Sequence, residues 1–289
     1  MYLTLKGIHI DLKTLFVSDL DGTLLGKNAT LSEYSIKIIN LLIDSGMNFT
    51  IATARSPWSL QIIENLNITI PAVMLNGVCV YDIRATVFDK TEELGKDIIT
   101  ELLPIIHQLD LSGFLYMVKD NHLNVYYENV TAPHVIAFMK ERIEKFGKTF
   151  TRAYPFTDYN FTGMIPAYYT VCERLEILSP FYERIKHIKG LRAEFYRDVY
   201  NKDLWFLELL SERASKYNAV NYLKEKYAFE RVVAFGDNLN DLPLFAASDY
   251  CLAVENAHDE VKSKANEIIK SNTEDGVAEW LSENYKRFL

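Results

Sequence analysis

The first third of the chain alternates short apolar runs with segments of helical periodicity. Three apolar runs predict buried strands, at residues 15–18, 47–53 and 72–75. Ser32 is a suitable N-cap for a helix that Gly46 ends. Ser56 and Pro57 predict a second helix, which continues to about residue 66. The order strand, helix, strand, helix, strand predicts a parallel sheet with right-handed crossovers.

The last third of the chain repeats this alternation. The predicted strands are residues 204–210, 231–235, about 250–254 and about 266–269. The predicted helices are residues 215–227, a helix that Asp241 opens, and a terminal helix that contains Trp280. We therefore expect residues 1–83 and 199–289 to form one doubly wound, Rossmann-like α/β domain with a parallel sheet.

The middle of the chain, residues 84–198, has a different pattern. Helical periodicity occurs at residues 95–109, 133–147 and 179–189. Strands rich in aromatic residues are predicted around residues 114–116, 125–127 and 195–196. Strands and helices do not alternate strictly here, which favours an inserted α+β domain with an antiparallel sheet. The many tyrosines on these strands are more typical of packing than of a binding site.

Composition and charge narrow the class of protein. The 289 residues carry a formal net charge of −8, which argues against a general nucleic-acid or anionic-membrane surface. The three cysteines are far apart and suggest neither a zinc site nor a disulfide framework. The chain has no signal-peptide pattern at its start and no apolar stretch of about 18 residues. We expect a cytoplasmic protein, with no membrane or nucleic-acid partner.

The first predicted strand ends in two carboxylates, Asp19 and Asp21, followed by Gly22. At the mouth of a parallel sheet, paired acids can hold a hard cation, and one can attack an electrophile. A strand that merely ends in an acidic turn is the structural alternative. A calcium-binding loop is excluded by spacing, because Thr30 stands where that loop needs a bidentate glutamate.

Three further polar clusters follow other predicted strands. They are Thr53-Ala54-Arg55, Lys216, and the loop 236–241 with Asp237, Asn240 and Asp241. The carboxyl ends of parallel strands share one edge of a sheet, so the four clusters should face one crevice. Each has a structural alternative when taken alone: a strand-end threonine, a solvated lysine and helix-capping aspartates. Their joint order and placement favours the functional interpretation.

This set of residue types suits phosphoryl transfer from a monoester. Three carboxylates can hold Mg²⁺, and one can attack phosphorus to give an aspartyl-phosphate. The hydroxyl of Thr53 and the ammonium of Lys216 can neutralise charge on the transferring oxygens. A second acid can protonate the departing alkoxide and later activate water.

In this order the clusters resemble the motifs of the haloacid dehalogenase superfamily, and specifically its Cof-like branch of magnesium-dependent phosphatases with an inserted C2-type cap. Residues 19–25 match the first motif, Thr53 the second, Lys216 the third and residues 236–241 the fourth. The Asn76-Gly77 turn and the segments 256–262 and 274–278 also resemble this branch. The resemblance implies that residues 84–198 are the cap.

The resemblance also implies a role for each matched residue. Asp19 would be the nucleophile and Asp21 the general acid and base. The implied Mg²⁺ ligands are the Asp19 side chain, the Asp21 backbone carbonyl and Asp237, with Asp241 supporting the site. The implied phosphate contacts are Thr53, Lys216 and Asn240, with Arg55 and Asn76 as further candidates. The substrate would be a small phosphorylated metabolite such as a sugar phosphate.

Other features leave alternatives open. A phosphomutase could use the same aspartyl-phosphate, and a non-catalytic regulator could keep the fold while binding a phosphorylated metabolite. Ala54, Tyr217 and Glu255 stand where relatives commonly have glycine, so the fit of the substrate is open. The ten or so residues before the first strand could add an edge strand at residues 2–5 or form a partner contact.

Overall fold

The computed structural model describes residues 12–156, 162–197 and 202–288, so the predicted edge strand at residues 2–5 lies outside the described residues. The described residues form two compact units. The first unit contains residues 12–53, 60–72 and 216–288, and the second contains residues 54–59 and the described part of 73–215. The predicted functional division into a core and a cap at residues 84–198 stays a prediction.

Strands and α-helices are numbered along the chain. The strands are β1 (Thr14–Ser18), β2 (Asn48–Ile51), β3 (Ala72–Met74), β4 (Cys79–Asp82), β5 (Val87–Thr91), β6 (Gly113–Lys119), β7 (His122–Tyr127), β8 (Phe150–Arg152), β9 (Ile165–Glu173), β10 (Leu191–Arg197), β11 (Trp205–Ser211), β12 (Arg231–Gly236), β13 (Tyr250–Val254) and β14 (Glu267–Ile269). The α-helices are α1 (Glu33–Asp44), α2 (Lys96–Gln108), α3 (Pro133–Phe146), α4 (Leu175–Ile185), α5 (Lys216–Lys226), α6 (Leu242–Ala246), α7 (Asp259–Lys264) and α8 (Gly276–Asn284).

The first unit is built on a parallel five-stranded sheet with the order β14-β13-β12-β1-β2. Every residue of β1 is buried, because this strand lies between β2 and β12. Fully buried strands of parallel sheets are expected to be apolar runs of this kind. The predicted α/β class with a parallel central sheet is therefore confirmed, and strands from both ends of the chain share the sheet.

The second unit contains a six-stranded sheet with the order β10-β11-β9-β6-β7-β8. Its pairs are antiparallel except for β7 with β8, as expected for an α+β arrangement. Helices α2 and α4 pack on one face, where Ile98 and Phe181 meet Leu207 and Leu209 of β11. Successive side chains of a strand point to opposite faces, so residues 206, 208 and 210 lie on the other face.

Two predicted strands of the parallel sheet belong to other sheets. The run 204–210 forms β11, which pairs antiparallel with both β9 and β10. The run 72–75 forms β3, which lies in a three-stranded sheet with β4 and β5. Both runs are apolar apart from Glu208, but an apolar run does not encode the direction or identity of its partner strand. The assignment of these two strands to the parallel sheet was therefore wrong.

Two predicted helices differ from the structure in type or position. The segment from Pro57 is a 3₁₀ helix over Pro57–Ile63 and not an α-helix to residue 66. Both the N–H and the hydroxyl of Ser59 donate to the Ser56 carbonyl, which favours the tighter turn. The helix expected at 179–189 begins earlier, as α4. None of the helices in the described ranges is long and apolar enough to cross a membrane.

We predict that Ser32→Ala lowers the free energy of unfolding by about 1 kcal/mol. The Ser32 hydroxyl oxygen accepts from the Ser35 N–H at 2.9 Å and donates to Asp275 at 2.6 Å, so it caps α1 and ties it to the start of α8. Urea unfolding followed by circular dichroism measures the change. Ser282→Ala, within α8, removes an exposed hydroxyl and serves as the control. Equal stability of the two variants would contradict the capping role.

Candidate active site

The carboxyl ends of three adjacent strands bring the first, second and fourth clusters to one edge of the parallel sheet. Ser18 of β1 is in register with Ile51 of β2 and with Phe235 of β12. Asp19 follows Ser18 directly, and its N–H donates to the Phe235 carbonyl at 3.0 Å. Thr53 follows Ile51 by two residues and is fully buried. The predicted convergence at this edge is thus observed for these strand ends.

Lys216 is the first residue of α5 and lies inside the first unit with only 1% of its surface exposed. Its Nζ donates to Asp19 Oδ1 at 2.7 Å and to Asp241 Oδ1 at 2.6 Å. The alternative of a solvated helix lysine is therefore wrong. A buried ammonium requires such partners, because an unpaired charge inside a protein is costly.

Asp241 joins this lysine to the loop after β12. Its Oδ2 accepts from the backbone N–H groups of Asp237 at 2.9 Å and Asn238 at 3.1 Å. Asn238 and Asp241 form a capping box at a 3₁₀ helix, so the capping alternative is correct for Asp241. Both carboxylate oxygens already accept hydrogen bonds, which suits a residue that shapes the loop and holds Lys216.

Asp237 is half-buried and faces the turn after β1. The Thr23 hydroxyl donates to Asp237 Oδ1 at 2.9 Å. Gly22 has φ +84°, and a Cβ there would lie 2.3 Å from Asp237 Oδ2. Only glycine allows both this backbone conformation and this close approach. The glycine after the acidic pair is thus explained by the position of the Asp237 carboxylate.

The three carboxylates form a cluster that could hold a metal ion. One oxygen each from Asp19, Asp237 and Asp241 lies within 4.8 Å of the others. Carboxylate oxygens are hard donors of the kind that Mg²⁺ and Ca²⁺ prefer. Among the described residues, Lys216 is the one ammonium in contact with the cluster, so two negative charges remain in excess when all three carboxylates are ionised. The donor set and the charge therefore both fit a divalent cation.

Burial shifts the pKa values of these groups. Burial raises the pKa of Asp19 to about 8, with Lys216 opposing the rise and Asp241 adding to it. Burial also raises the pKa of Asp237 to about 6, although the hydrogen bond from Thr23 opposes it. Burial alone lowers the pKa of Lys216, but Asp19 and Asp241 outweigh burial, so its pKa is raised. The Lys216 ammonium therefore stays charged. Asp19 and Asp237 have too little positive charge near them to offset the effect of burial on their pKa values.

Two asparagines that sequence reasoning did not single out hold the turn after β1 in place. Asn256 Nδ2 donates to the Gly22 carbonyl at 2.8 Å, and Asn256 Oδ1 accepts from the Asn272 N–H at 2.9 Å. Asn272 Nδ2 donates in turn to the Leu25 carbonyl at 2.7 Å. Of the two asparagines, only Asn256 lies in a segment, residues 256–262, that resembles relatives in sequence. The role of Thr23 was likewise missed.

The remaining predicted site residues are placed as follows. In the first unit, Asp21 is exposed and forms an isolated β-bridge with Leu25, and Asn240 is exposed next to Asp241. In the second unit, the Arg55 carbonyl accepts from the Leu75 N–H at 3.0 Å, and Asn76 Nδ2 donates to Glu194 Oε2 at 3.5 Å. The three residues where the resemblance leads us to expect glycine are all exposed: Ala54, Tyr217 and Glu255.

Comparison with known proteins gives consistent matches along the chain. The family model of haloacid dehalogenase-like hydrolases matches residues 16–281. A 5-amino-6-(5-phospho-D-ribitylamino)uracil phosphatase of Bacillus subtilis is 26% identical over 288 residues, covering 92% of this chain and 96% of the relative. A pyridoxal phosphate phosphatase of Escherichia coli is 26% identical over 272 residues, covering 91% of this chain and 95% of the relative.

Solved structures show the same fold. The crystal structure of a haloacid dehalogenase-like hydrolase from Bacteroides thetaiotaomicron superposes with a TM-score of 0.74 at 22% identity. The match covers 93% of this chain and 98% of that protein. At this level of identity the likeness concerns the fold.

We predict that Lys216→Met in metal-free protein lowers the free energy of unfolding by about 3–5 kcal/mol, because buried carboxylates lose their cation. Chemical denaturation in the presence of a chelator measures the loss. Lys224→Met removes a lysine from the same helix, where its ion pair with Asp249 at 3.3 Å is solvent-accessible. This control should change stability by less than about 1 kcal/mol. A loss no larger than the control's would contradict the structural role of Lys216.

Proposed function

Since the chain belongs to the haloacid dehalogenase-like hydrolase family and is a hydrolase of phosphoric monoesters, we propose that it cleaves small phosphorylated metabolites through an aspartyl-phosphate on Asp19. The family match confirms the predicted enzyme class. Phosphatases of this family generally use a divalent metal, and we propose Mg²⁺ at the carboxylate cluster. The observation that carries this proposal is the buried array of Asp19, Lys216 and Asp241 at the end of β1.

The contacts of Asp19 support its role as the nucleophile. Its Oδ1 accepts a hydrogen bond from Lys216, so Oδ2 is the oxygen that attacks phosphorus. In this step the bond from Asp19 to phosphorus forms and the ester P–O bond breaks. When bound, Mg²⁺ supplies positive charge that stabilises the transferring phosphoryl oxygens. Asp19, Asp237 and the Asp21 backbone carbonyl are the groups that would hold it, and Asp241 would support the site.

Asp21 is positioned for proton transfer because it is exposed and lies two residues after the nucleophile. It donates a proton to the departing alkoxide in the first step. In the second step it accepts a proton from water, which attacks phosphorus and releases phosphate from Asp19. Proton transfer in both directions returns the enzyme to its starting state.

Lys216 also suits phosphate binding, in addition to its structural role. An ammonium has three donors, and two of them are directed at Asp19 and Asp241. The third can donate to a phosphoryl oxygen. We assign Thr53 and Asn240 to the same phosphoryl group, as the sequence predicted, and keep two further candidates for substrate contact, Arg55 and Asn76.

The names of the relatives suggest the substrate class. One acts on pyridoxal phosphate and the other on a phosphorylated ribitylaminouracil. For this chain we propose a small phosphorylated metabolite of comparable size.

Asp19→Asn should reduce phosphate release by at least about a thousandfold, because the amide is a poor nucleophile. Release of inorganic phosphate from a panel of monoesters measures the loss, and circular dichroism checks the fold. Asp44→Asn makes the same change at the exposed end of α1 and should keep full activity. Activity of Asp19→Asn within tenfold of the unaltered protein would refute the assignment.

Removal of divalent metal with EDTA should stop hydrolysis, and added Mg²⁺ should restore it. Asp237→Asn should raise the Mg²⁺ concentration for half-maximal activity by at least about tenfold, because an anionic ligand is replaced by a neutral amide. A titration of activity against Mg²⁺ measures this shift, with Asp44→Asn again as the control. Full activity in EDTA would exclude the metal role.

A further inference from the structure

The turn that carries Asp21 is closed by its own backbone and held from outside. The N–H groups of residues 23–25 all donate to the Leu20 carbonyl, at 3.3, 3.1 and 2.8 Å. Asp21 forms its isolated β-bridge with Leu25 across the same turn. Backbone carbonyls need donors as well, and those of Gly22 and Leu25 take theirs from side chains elsewhere in the first unit.

Asn256 and Asn272 supply these two donors, at 2.8 Å to Gly22 and at 2.7 Å to Leu25. The asparagines are also joined to each other, because Asn256 Oδ1 accepts from the Asn272 N–H at 2.9 Å. A backbone N–H can only donate and a carbonyl can only accept, so both ends of the Asn256 amide are specified. The two anchored carbonyls belong to the residue after Asp21 and to the residue with which Asp21 pairs.

The segments that carry the two asparagines are themselves fixed within the first unit. The segment after β13 reaches the loop 236–241, because the His258 N–H donates to the Asp237 carbonyl at 2.8 Å. The segment after β14 reaches α1, because the Asp275 carboxylate accepts from the Ser32 hydroxyl at 2.6 Å. The turn is therefore tied, through the asparagines, to elements that also hold the carboxylate cluster and the first helix.

The position of the Asp21 carboxylate depends on this support of its backbone. The side chain is exposed, so packing against its neighbours restrains it little. A general acid must come within hydrogen-bond distance of the departing oxygen, and a misplacement of about 1 Å can cost about a hundredfold in rate. The Thr23 hydroxyl restrains the middle of the turn through Asp237, and the asparagines restrain its carbonyl groups.

We propose that Asn256, supported by Asn272, is a positioning residue for proton transfer: by holding the Gly22 carbonyl, it keeps the Asp21 carboxylate at the oxygen of the departing alcohol. The proposal rests on the proposed function, in which Asp21 is the general acid. Asn256 acts through the backbone of the turn and touches neither the substrate nor the transferred proton. Its loss should therefore weaken only the step in which Asp21 gives up its proton.

Esters with different leaving groups separate this role from a general loss of structure. An alkoxide needs a proton in order to leave, whereas p-nitrophenolate is a weak base that leaves readily without one. The constant kcat/KM covers the steps up to departure of the alcohol, so the later attack of water does not enter it. The probes are p-nitrophenyl phosphate and the alkyl ester hydrolysed fastest among D-ribose 5-phosphate, D-glucose 6-phosphate and glycerol 3-phosphate.

Asn256→Ala should lower kcat/KM for the alkyl ester by about ten- to a hundredfold and for p-nitrophenyl phosphate by less than about threefold. Asn40→Ala is the matched control, because Asn40 makes the same pair of contacts at a distance from the site. Its Nδ2 donates to the Asn65 carbonyl at 2.8 Å, and its Oδ1 accepts from the Asn67 N–H at 2.8 Å. The control should leave the constants for both esters unchanged.

Asp21→Asn is the reference for a lost proton donor. It should lower kcat/KM for the alkyl ester by about 10²- to 10⁴-fold, and much less for p-nitrophenyl phosphate. In the Asp21→Asn protein, Asn256→Ala should change kcat/KM for the alkyl ester by less than about threefold, because the two residues act in one step. Equal losses for both esters in Asn256→Ala, or full additivity of its loss with that of Asp21→Asn, would overturn the positioning role.

Amide hydrogen exchange, followed by mass spectrometry, separates this proposal from the proposed function. Exchange within residues 20–26 should be faster in Asn256→Ala than in the unaltered protein, and unchanged in Asn40→Ala. If exchange is faster but Asp21→Asn affects both esters equally, or no alkyl ester is hydrolysed, the anchoring of the turn stands and the proposed role of Asp21 fails. If Asp21→Asn discriminates between the esters but exchange in Asn256→Ala is unchanged, the proposed function stands and the positioning by Asn256 fails.

Discussion

The buried ammonium of Lys216 is the interaction on which the organisation of the first unit depends. It holds Asp19, at the end of β1, and Asp241, in the loop after β12, at hydrogen-bond distance. The three residues are distant in sequence, and none can be buried with its charge unless the others are present. The negative charge that remains in excess is the physical argument for the divalent cation that we propose at this place, so the packing of these residues and the proposed metal site have the same origin.

The same constraint sets the shape of the surrounding loops. Asp241 directs its second oxygen to two backbone N–H groups, which fixes the loop that carries Asp237. The turn after β1 must then approach Asp237 closely, and only Gly22 permits that approach. In the sequence Gly22 resembles an ordinary turn glycine, but the close approach of the Asp237 carboxylate, more than 200 residues away in the chain, requires it. The position of the Asp237 carboxylate and the backbone conformation of the turn at Gly22 are therefore coupled.

The sequence predicted those parts of the fold whose signals are local. Burial of β1 and the cap at Ser32 follow from neighbouring residues. The order of the four polar clusters and the class of the fold can also be predicted from the sequence. Strand pairing does not follow from neighbouring residues: residues 204–210 are apolar apart from Glu208 whichever strands they pair with, and they belong to the antiparallel sheet. The contacts Thr23 to Asp237 and Asn256 to Gly22 span 214 and 234 residues, and no spacing pattern reports on them.

The tyrosine-rich strands show why a single sequence does not separate the two faces of a sheet. Packing describes the face on which Leu207 and Leu209 lie beneath α2 and α4, and it also describes Tyr116, Tyr168 and Leu210, which belong to a second buried cluster on the other face. The alternate residues Phe206 and Glu208 lie on the other face, where they line a cavity of about 230 Å³, because the side-chain period of a strand is two. Apolar and aromatic residues are typical of both faces, so hydrophobicity alone cannot separate them. Since the two sets of side chains belong to separate buried clusters, substitutions on one face leave the neighbours of α2 and α4 on the other face in place. The site at Lys216 is built from other residues altogether.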